Sequence, residues 1–506
     1  MRNLDDSRPN ILVVLFDCLR ALDFPGGAEA VDGMPFARQL MKESIVFPRA
    51  ISPAPWTIPS HAGLFTGLYP WECNVHAFQS LSLDPTVPTL GTALHSVGYR
   101  SLSLSANPFI SPRFGLVNGF DEAAWGGWWE AFLRSPRETA PNEWMAGSAD
   151  TPRSQDRILE WIRDGPLGNL LRSGSQQSLR FPFALDTGNR LLQKVRAPDA
   201  NPRLSQASWI EPVLDRWLRR QSASQPVFTF LNLTDTHEPY YPDPALVRGF
   251  RDWWRLAQTR QDHANAVGGR WLPTESQRQK LRTLYRQSVS HLDSRLEAIV
   301  RCFRENGRWE NTWMFVTSDH GQALGEHGMM FHLLRLDEPL LRIPLWMRPP
   351  RGTGEGREAE GWANLIDIFP TIVSAAGAVV PDPPSAVSLA ELVDYPRSRP
   401  VFAMADGIVW DHIRKRFNPA REAEWDEPLV ASYSAGFKVI MKASGASSRA
   451  FDIEHDPKEE HPVNPNSDAP LLELVKAARK VGTEMLHSNR EVDESLEERL
   501  RSWGYV

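Results

Sequence analysis

Asp17, Thr57 and the consecutive pair Asp319 and His320 are the residues with which this chain could do chemistry. Two carboxylates and an imidazole are intermediate-to-hard donors that suit a divalent cation. Asp17 ends the apolar run NILVVLF, and Asp319-His320 closely follows the apolar run WMFV. A charge at the end of a buried strand needs a partner, and a metal ion is one such partner. Thr57 lies in the loop APWTIPSHAGLFTGLYP, just ahead of Pro59 and Ser60, which read as the start of a helix. A hydroxyl there faces free N–H groups and a positive dipole end, which suits an anionic group. Loop by loop, plainer readings compete: Thr57 as a helix N-cap, and Asp319-His320 as a structural pair.

Strands and helices must carry these loops. Residues 10–16 form a continuous β-branched and aromatic run, the pattern of a strand buried on both faces. Helical spacing over 34–44 precedes a short strand at 45–47, and a helix over 87–97 leads into a strand at 99–104. A strand at 226–233 follows. Leu281, Leu284, Tyr285, Val289, Leu292, Leu296, Ile299, Val300 and Phe303 then have the spacing of one long amphipathic helix, ended by Gly307. Strands at 313–316 and 343–347 and a helix over 365–376 complete the alternation. The pattern predicts a doubly wound α/β fold with a mixed, mostly parallel central sheet flanked by helices. Such sheets bind ligands at the carboxyl ends of their strands, where Asp17 sits. The stretch from about 122 to 225 breaks the alternation and reads as an insertion of helices and long loops. Beyond residue 380, hairpin strands at 436–442 and 448–453 and a helix over 471–486 predict a smaller α+β subdomain. The expected division is a catalytic domain over 1–380, containing the insertion, and a C-terminal subdomain over 381–506.

Composition sets bounds. A net charge of −6 over 506 residues argues against nucleic acid as a partner, since phosphate backbones need a basic patch. No stretch approaches the roughly 20 apolar residues of a membrane span. Cys18, Cys73 and Cys302 are far apart, odd in number and without metal spacing, so a reducing, cytoplasmic setting is expected. Of the 19 tryptophans, several lie between Trp125 and Trp161, with Trp253 and Trp254 beyond. Core or inter-subunit packing is the better reading for them than a pocket lining. Homo-oligomerisation stays open.

Together, and in this order, the loops resemble the alkaline phosphatase and sulfatase superfamily. Residues 10–19 resemble its opening strand with the first metal aspartate, and 317–328 its Ser-Asp-His-Gly-Glu metal loop. TIPSH at 57–61 falls where sulfatases carry Cys-x-Pro-x-Arg. FLNLTDTHEPYYP resembles the histidine segment on the substrate side, FDIEHDP the C-terminal signature, and 496–505 the closing helix of many bacterial members. The resemblance implies an alkaline phosphatase-like fold with Asp17, Asp319 and His320 as metal ligands and Thr57 as a nucleophile that also touches the metal. It implies one or two divalent ions, with Zn or Mn favoured and Mg or Ca admissible. His237 and His332, the latter twelve residues after His320, match residues that hold a second metal in phosphoethanolamine transferases and contact the sulfate in sulfatases. Asn107, in SANP, matches an asparagine that donates to a substrate oxygen in nucleotide pyrophosphatases. Asp235 is expected to orient His237, and Glu326 and His327 to stay outside the ligand set.

Two departures matter. Threonine cannot become formylglycine, and His61 replaces the arginine, so the usual sulfatase mechanism is closed. Cys18 stands where sulfatases have a second aspartate, and is expected to be a buried spectator rather than a thiolate ligand. With one dication, Asp17, Asp319 and ionised Thr57 leave about −1, and a second dication at His237 and His332 brings about +1. The expectation is therefore a metal-dependent hydrolase of small phosphate esters, a phosphatase or phosphodiesterase, acting through phosphothreonine. The alternatives are sulfuric ester hydrolysis without formylglycine, a soluble phosphoryl transferase, and a binding protein that has lost turnover.

Overall fold

The computed structural model describes residues 8–76, 80–126, 209–238, 240, 273–395, 399–407 and 425–487, all within one compact unit. In chain order, β1 (Asn10–Phe16) leads through α1 (Pro35–Lys42) to the short strands β2 (Ile45–Val46) and β3 (Ala50–Ile51). Then come α2 (Thr57–Thr66), α3 (Leu90–Ser96), β4 (Arg100–Ser105) and β5 (Glu122–Trp125). Helix α4 (Ile210–Arg220), β6 (Val227–Leu233), α5 (Glu275–Glu305) and β7 (Thr312–Thr317) follow. The paired short strands β8 (Ala323–Leu324) and β9 (Met330–Phe331) precede β10 (Leu345–Arg348), β11 (Ala363–Asn364) and α6 (Ile368–Ala376).

The central sheet has the order β2-β10-β7-β1-β6-β4-β5. β1 runs parallel to both neighbours, with Ile11 opposite Phe228 of β6 and Asn10 opposite Thr312 of β7. β10 is antiparallel to β7, so the sheet is mixed and mostly parallel, as expected. Every residue of β1 and β6 is buried. Layers on both faces explain why these strands read as apolar runs instead of alternating. Helix α5 starts six residues before its first predicted apolar position. There Thr274 and Gln277 form a reciprocal capping box that satisfies two otherwise orphaned N–H groups.

The expected insertion is corrected at both ends. Glu122–Trp125 is the edge strand beside β4, and Ile210–Arg220 packs against α5. Four residues, EAAW, are too few to show a strand pattern. Residues 127–208 with their tryptophans, and Trp253 and Trp254, lie outside the described residues.

Beyond the central sheet, β12 (Val401–Ala405), β13 (Leu429–Ser434), β14 (Phe437–Lys442) and β15 (Ser448–Asp452) form an antiparallel meander, packed on by α7 (Ala469–His487). The predicted hairpin is β14-β15. The meander shares a core with the rest of the unit, where Leu336, Leu341 and Trp362 meet Val401, Tyr433, Ile440 and Phe451. Burying each such side chain stabilises by roughly 1.5–3 kcal/mol. The expected helix at 496–505 lies outside the described residues.

Candidate active site

The three central strands β1, β6 and β7 end side by side, and their following loops bring Asp17, residues 234–238 and residues 318–320 together. Asp17 donates its N–H to the Leu233 carbonyl at 2.9 Å and accepts from Thr236 Oγ1 on its own carbonyl at 2.6 Å. Its Oδ2 accepts from Asn107 Nδ2 at 2.7 Å. Asp319 Oδ1 accepts from the N–H groups of Cys18 at 3.2 Å and His320 at 2.9 Å. Asp319 Oδ2 has no hydrogen-bond partner and lies 3.4 Å from His320 Nε2 and 3.7 Å from His61 Nδ1.

His320 Nδ1 lies 2.9 Å from the Gly321 carbonyl, which fixes the proton on Nδ1 and leaves the lone pair on Nε2. That Nε2 also lacks a hydrogen-bond partner and sits 4.0 Å from Asp17 Oδ1. Asp17, Asp319 and His320 are fully buried. Burial, reinforced by the Asp17 charge, pushes the Asp319 carboxyl well above its ordinary range. Burial also lowers His320. Two buried acids facing a neutral imidazole and unmet lone pairs fit a divalent cation, because a cation reverses the penalty on each acid.

Thr57 is the first residue of α2, not its N-cap; Trp56 takes that place with an extended backbone. Its Oγ1 is therefore not used in capping. It is buried and has no hydrogen-bond partner, at the end of a helix that presents unpaired N–H groups. His61, one turn on, holds its Nδ1 2.8 Å from the Thr57 carbonyl and its Nε2 3.1 Å from Asn232 Nδ2. The ring therefore donates at Nδ1 and accepts at Nε2. Burial lowers its pKa to about 4, so it brings no fixed positive charge where sulfatases place arginine.

Asn107 and Asp235 make contacts other than those expected of them. Asn107, expected to face a substrate, donates its Nδ2 to Asp17 and so holds that carboxylate. Asp235 pairs with Arg295 of α5 at 3.3 Å and does not orient His237. Glu326 pairs with Arg20 at 3.0 Å, and His327 lies with Asp337 and Glu459, away from the acids at the strand ends. His237 and His332 do come together, with ring centroids 5.2 Å apart, and His332 lies 4.6 Å from His320. Cys18 is buried, but its Sγ faces the cluster, 3.4 Å from Asp17 Oδ1 and 3.6 Å from His332 Nδ1. Glu238 and Gln322 were missed. Gln322 Nε2 donates to Glu238 Oε2 at 2.7 Å, and its Oε1 lies 3.0 Å from His332 Nδ1. The only sequence signals were adjacency to His237 and the place after Gly321, where the family pattern has glutamate.

A doubly wound sheet with buried acids and imidazoles converging at its strand ends defines an ester hydrolase of the alkaline phosphatase and sulfatase type. Residues 9–378 match the sulfatase family, and the chain belongs to it. Arylsulfatase K of Xenopus laevis is 22% identical over 94% of this chain and 83% of its own length. Choline-sulfatase of Rhizobium meliloti is 23% identical over 92% and 85%. Among solved structures, the phosphonate monoester hydrolase of Agrobacterium radiobacter superposes with a TM-score of 0.64 at 18% identity, covering 96% of this chain and 97% of that one.

Proposed function

We propose that this chain hydrolyses phosphate esters, as a phosphatase or phosphodiesterase, with Thr57 Oγ1 as the nucleophile. The observation that carries the reading is that hydroxyl: buried, free of any capping bond, and at the start of a helix whose residue His61 also faces Asp319. Asp17, Asp319 and His320 would hold a divalent ion, with Zn or Mn preferred to Mg or Ca because of the imidazole. Bound there, the ion supplies Lewis acidity that lowers the pKa of a nearby hydroxyl.

The chain's own residues do the rest. Asn107 holds Asp17, the Gly321 carbonyl sets the His320 tautomer, and the first turn of α2 offers N–H groups to a non-bridging oxygen. An Oγ1–phosphorus bond forms as the ester P–O bond breaks. Water then cleaves the phosphothreonine and restores Thr57. His237 and His332 stand where they would contact either the substrate or a second ion. The cysteine usage supports a cytoplasmic place of action.

A second reading has support of its own: two of the proteins just named are sulfatases, and one dication leaves about −1, which favours singly charged esters. A sulfate ester, a phosphodiester and a phosphonate monoester all meet that condition. The test compares p-nitrophenyl phosphate, bis-p-nitrophenyl phosphate, p-nitrophenyl phenylphosphonate and p-nitrophenyl sulfate, using wild type and Thr57→Ala. Turnover of a phosphorus ester that disappears in Thr57→Ala with metal content unchanged is the expected result. Preference for the sulfate moves the assignment to the second reading. Turnover undiminished in Thr57→Ala refutes threonine as nucleophile. A protein that binds these esters and turns over none is a binding protein of this fold, and one that passes the phosphoryl group to an added alcohol in preference to water is a transferase.

A further inference from the structure

Four donors of three chemical kinds meet just beyond the first acid pair. Cys18 Sγ, an imidazole nitrogen from each of His237 and His332, and a Glu238 carboxylate oxygen all lie within 4.8 Å of one another. Cys18 also belongs to a set with Asp17 and His320, so its sulfur faces both groups.

The backbone holds these donors in place at a cost. Cys18 has φ of 65°, and both neighbours of His332 are left-handed, Phe331 at 68° and Leu333 at 132°. Left-handed backbone at such residues is strained and concentrates where a site demands it. At Cys18 this conformation accompanies an N–H donated to Asp319 and an Sγ turned toward His332.

Outer contacts are in place as well. Gln322 bonds both Glu238 and His332, an arrangement that orients a carboxylate and an imidazole together. His237 Nδ1 lies 2.7 Å from the Glu238 carbonyl, which accepts its N–H and leaves Nε2 with the lone pair.

We propose that Cys18, His237, Glu238 and His332 form a second metal site, selective for zinc-like ions. Sulfur with two imidazoles excludes magnesium and calcium as preferred occupants. On metal entry the Cys18 S–H bond breaks, its proton leaves to water, and a sulfur–metal bond forms.

The site itself does not depend on Thr57 chemistry. Its consequence does rest on that reading: ionised Cys18 and Glu238 offset the charge of the second dication, so the ion would add Lewis acidity beside Thr57 and leave the preference for singly charged esters in place.

Cobalt(II) substitution of the whole chain tests the proposal. Wild type should bind two cobalt ions per chain and show an intense near-ultraviolet thiolate-to-cobalt band. Cys18→Ser should lose that band and one equivalent of cobalt while keeping the other. Glu238→Gln keeps the thiol and should weaken the second equivalent about 10- to 100-fold. One cobalt per chain without the band overturns the site, as does a band unchanged in Cys18→Ser or wild-type affinity in Glu238→Gln. Thr57→Ala should leave stoichiometry and band intact. Two ions and the band without phosphate ester turnover would sink the functional reading alone, whereas turnover with one ion and no band would sink the metal site alone.

Discussion

Among the described residues, two of the buried charged clusters are built on opposite plans. Near the C-terminal meander, Lys438 Nζ sits 3.2 Å from Glu338 and 2.6 Å from Glu459, Arg342 lies 2.7 Å from Glu338, and Arg335 lies 3.0 Å from Asp337. Three acids meet three bases. At the strand ends, Asp17 and Asp319 meet an amide, backbone N–H groups and neutral imidazoles. Burial is alike, yet the acids respond differently. Against burial, Arg342 and Lys438 hold Glu338 down at about 2, while burial and Asp17 drive Asp319 up. Fold-stabilising acids bring their own cations; the acids of a metal site leave that place to an ion.

The sharpest way to break this contrast is Asp319→Asn. It should cost at least about 10³ in turnover and lose the metal, since removing one member of a catalytic unit can disable the whole. The same change should raise the melting temperature of the metal-free protein, because it removes a buried, crowded charge. A lower metal-free melting temperature would contradict the unbalanced plan.

Lys438→Met should do the reverse. Removing the cation from between Glu338 and Glu459, with Arg342 left on Glu338, should destabilise by about 3–5 kcal/mol in denaturant unfolding. Orienting contacts come next: Asn107→Ala should weaken metal binding about 10- to 100-fold in a competition titration, with the fold intact.

Glu459 sharpens the comparison through pH. Burial, with Asp337 and Glu338 nearby, outweighs Lys438 and raises it to about 7. A folded value above the ordinary 4.5 means that its contribution is complete below pH 4.5 and is lost as pH rises through about 7. Glu459→Gln should flatten that part of the stability profile, and an unchanged slope would show that the proton sits elsewhere. The smallest effect belongs to the exposed pair Arg49 and Glu454, where Arg49→Ala should change stability by no more than about 1 kcal/mol.

Much of this was legible in the chain. The strands β1, β6 and β7 announce themselves because burial on both faces turns them into apolar runs, and Asp17 and Asp319-His320 follow directly from their ends. What was not legible depended on contacts across hundreds of residues. Nothing near Asn107 shows that it bonds Asp17, and nothing near Asp235 shows that Arg295 claims it. Cys18 was read as a spectator because sequence reports burial propensity and not the direction of a sulfur. The helix start reads at Pro59 in the sequence and lies at Thr57, a shift that decides whether the Thr57 hydroxyl caps the helix or stays free.

The left-handed backbone at Cys18 also acts as a filter on what may replace it. Valine, isoleucine and threonine strain there, whereas asparagine, aspartate and glycine enter that region readily. Two of those three carry an oxygen donor on a side chain of similar reach. The position can therefore exchange sulfur for oxygen without moving β1 or the loop after it. A single substitution, Cys18→Asp, could retune this scaffold from soft ions to hard ones while the surrounding frame stays as it is.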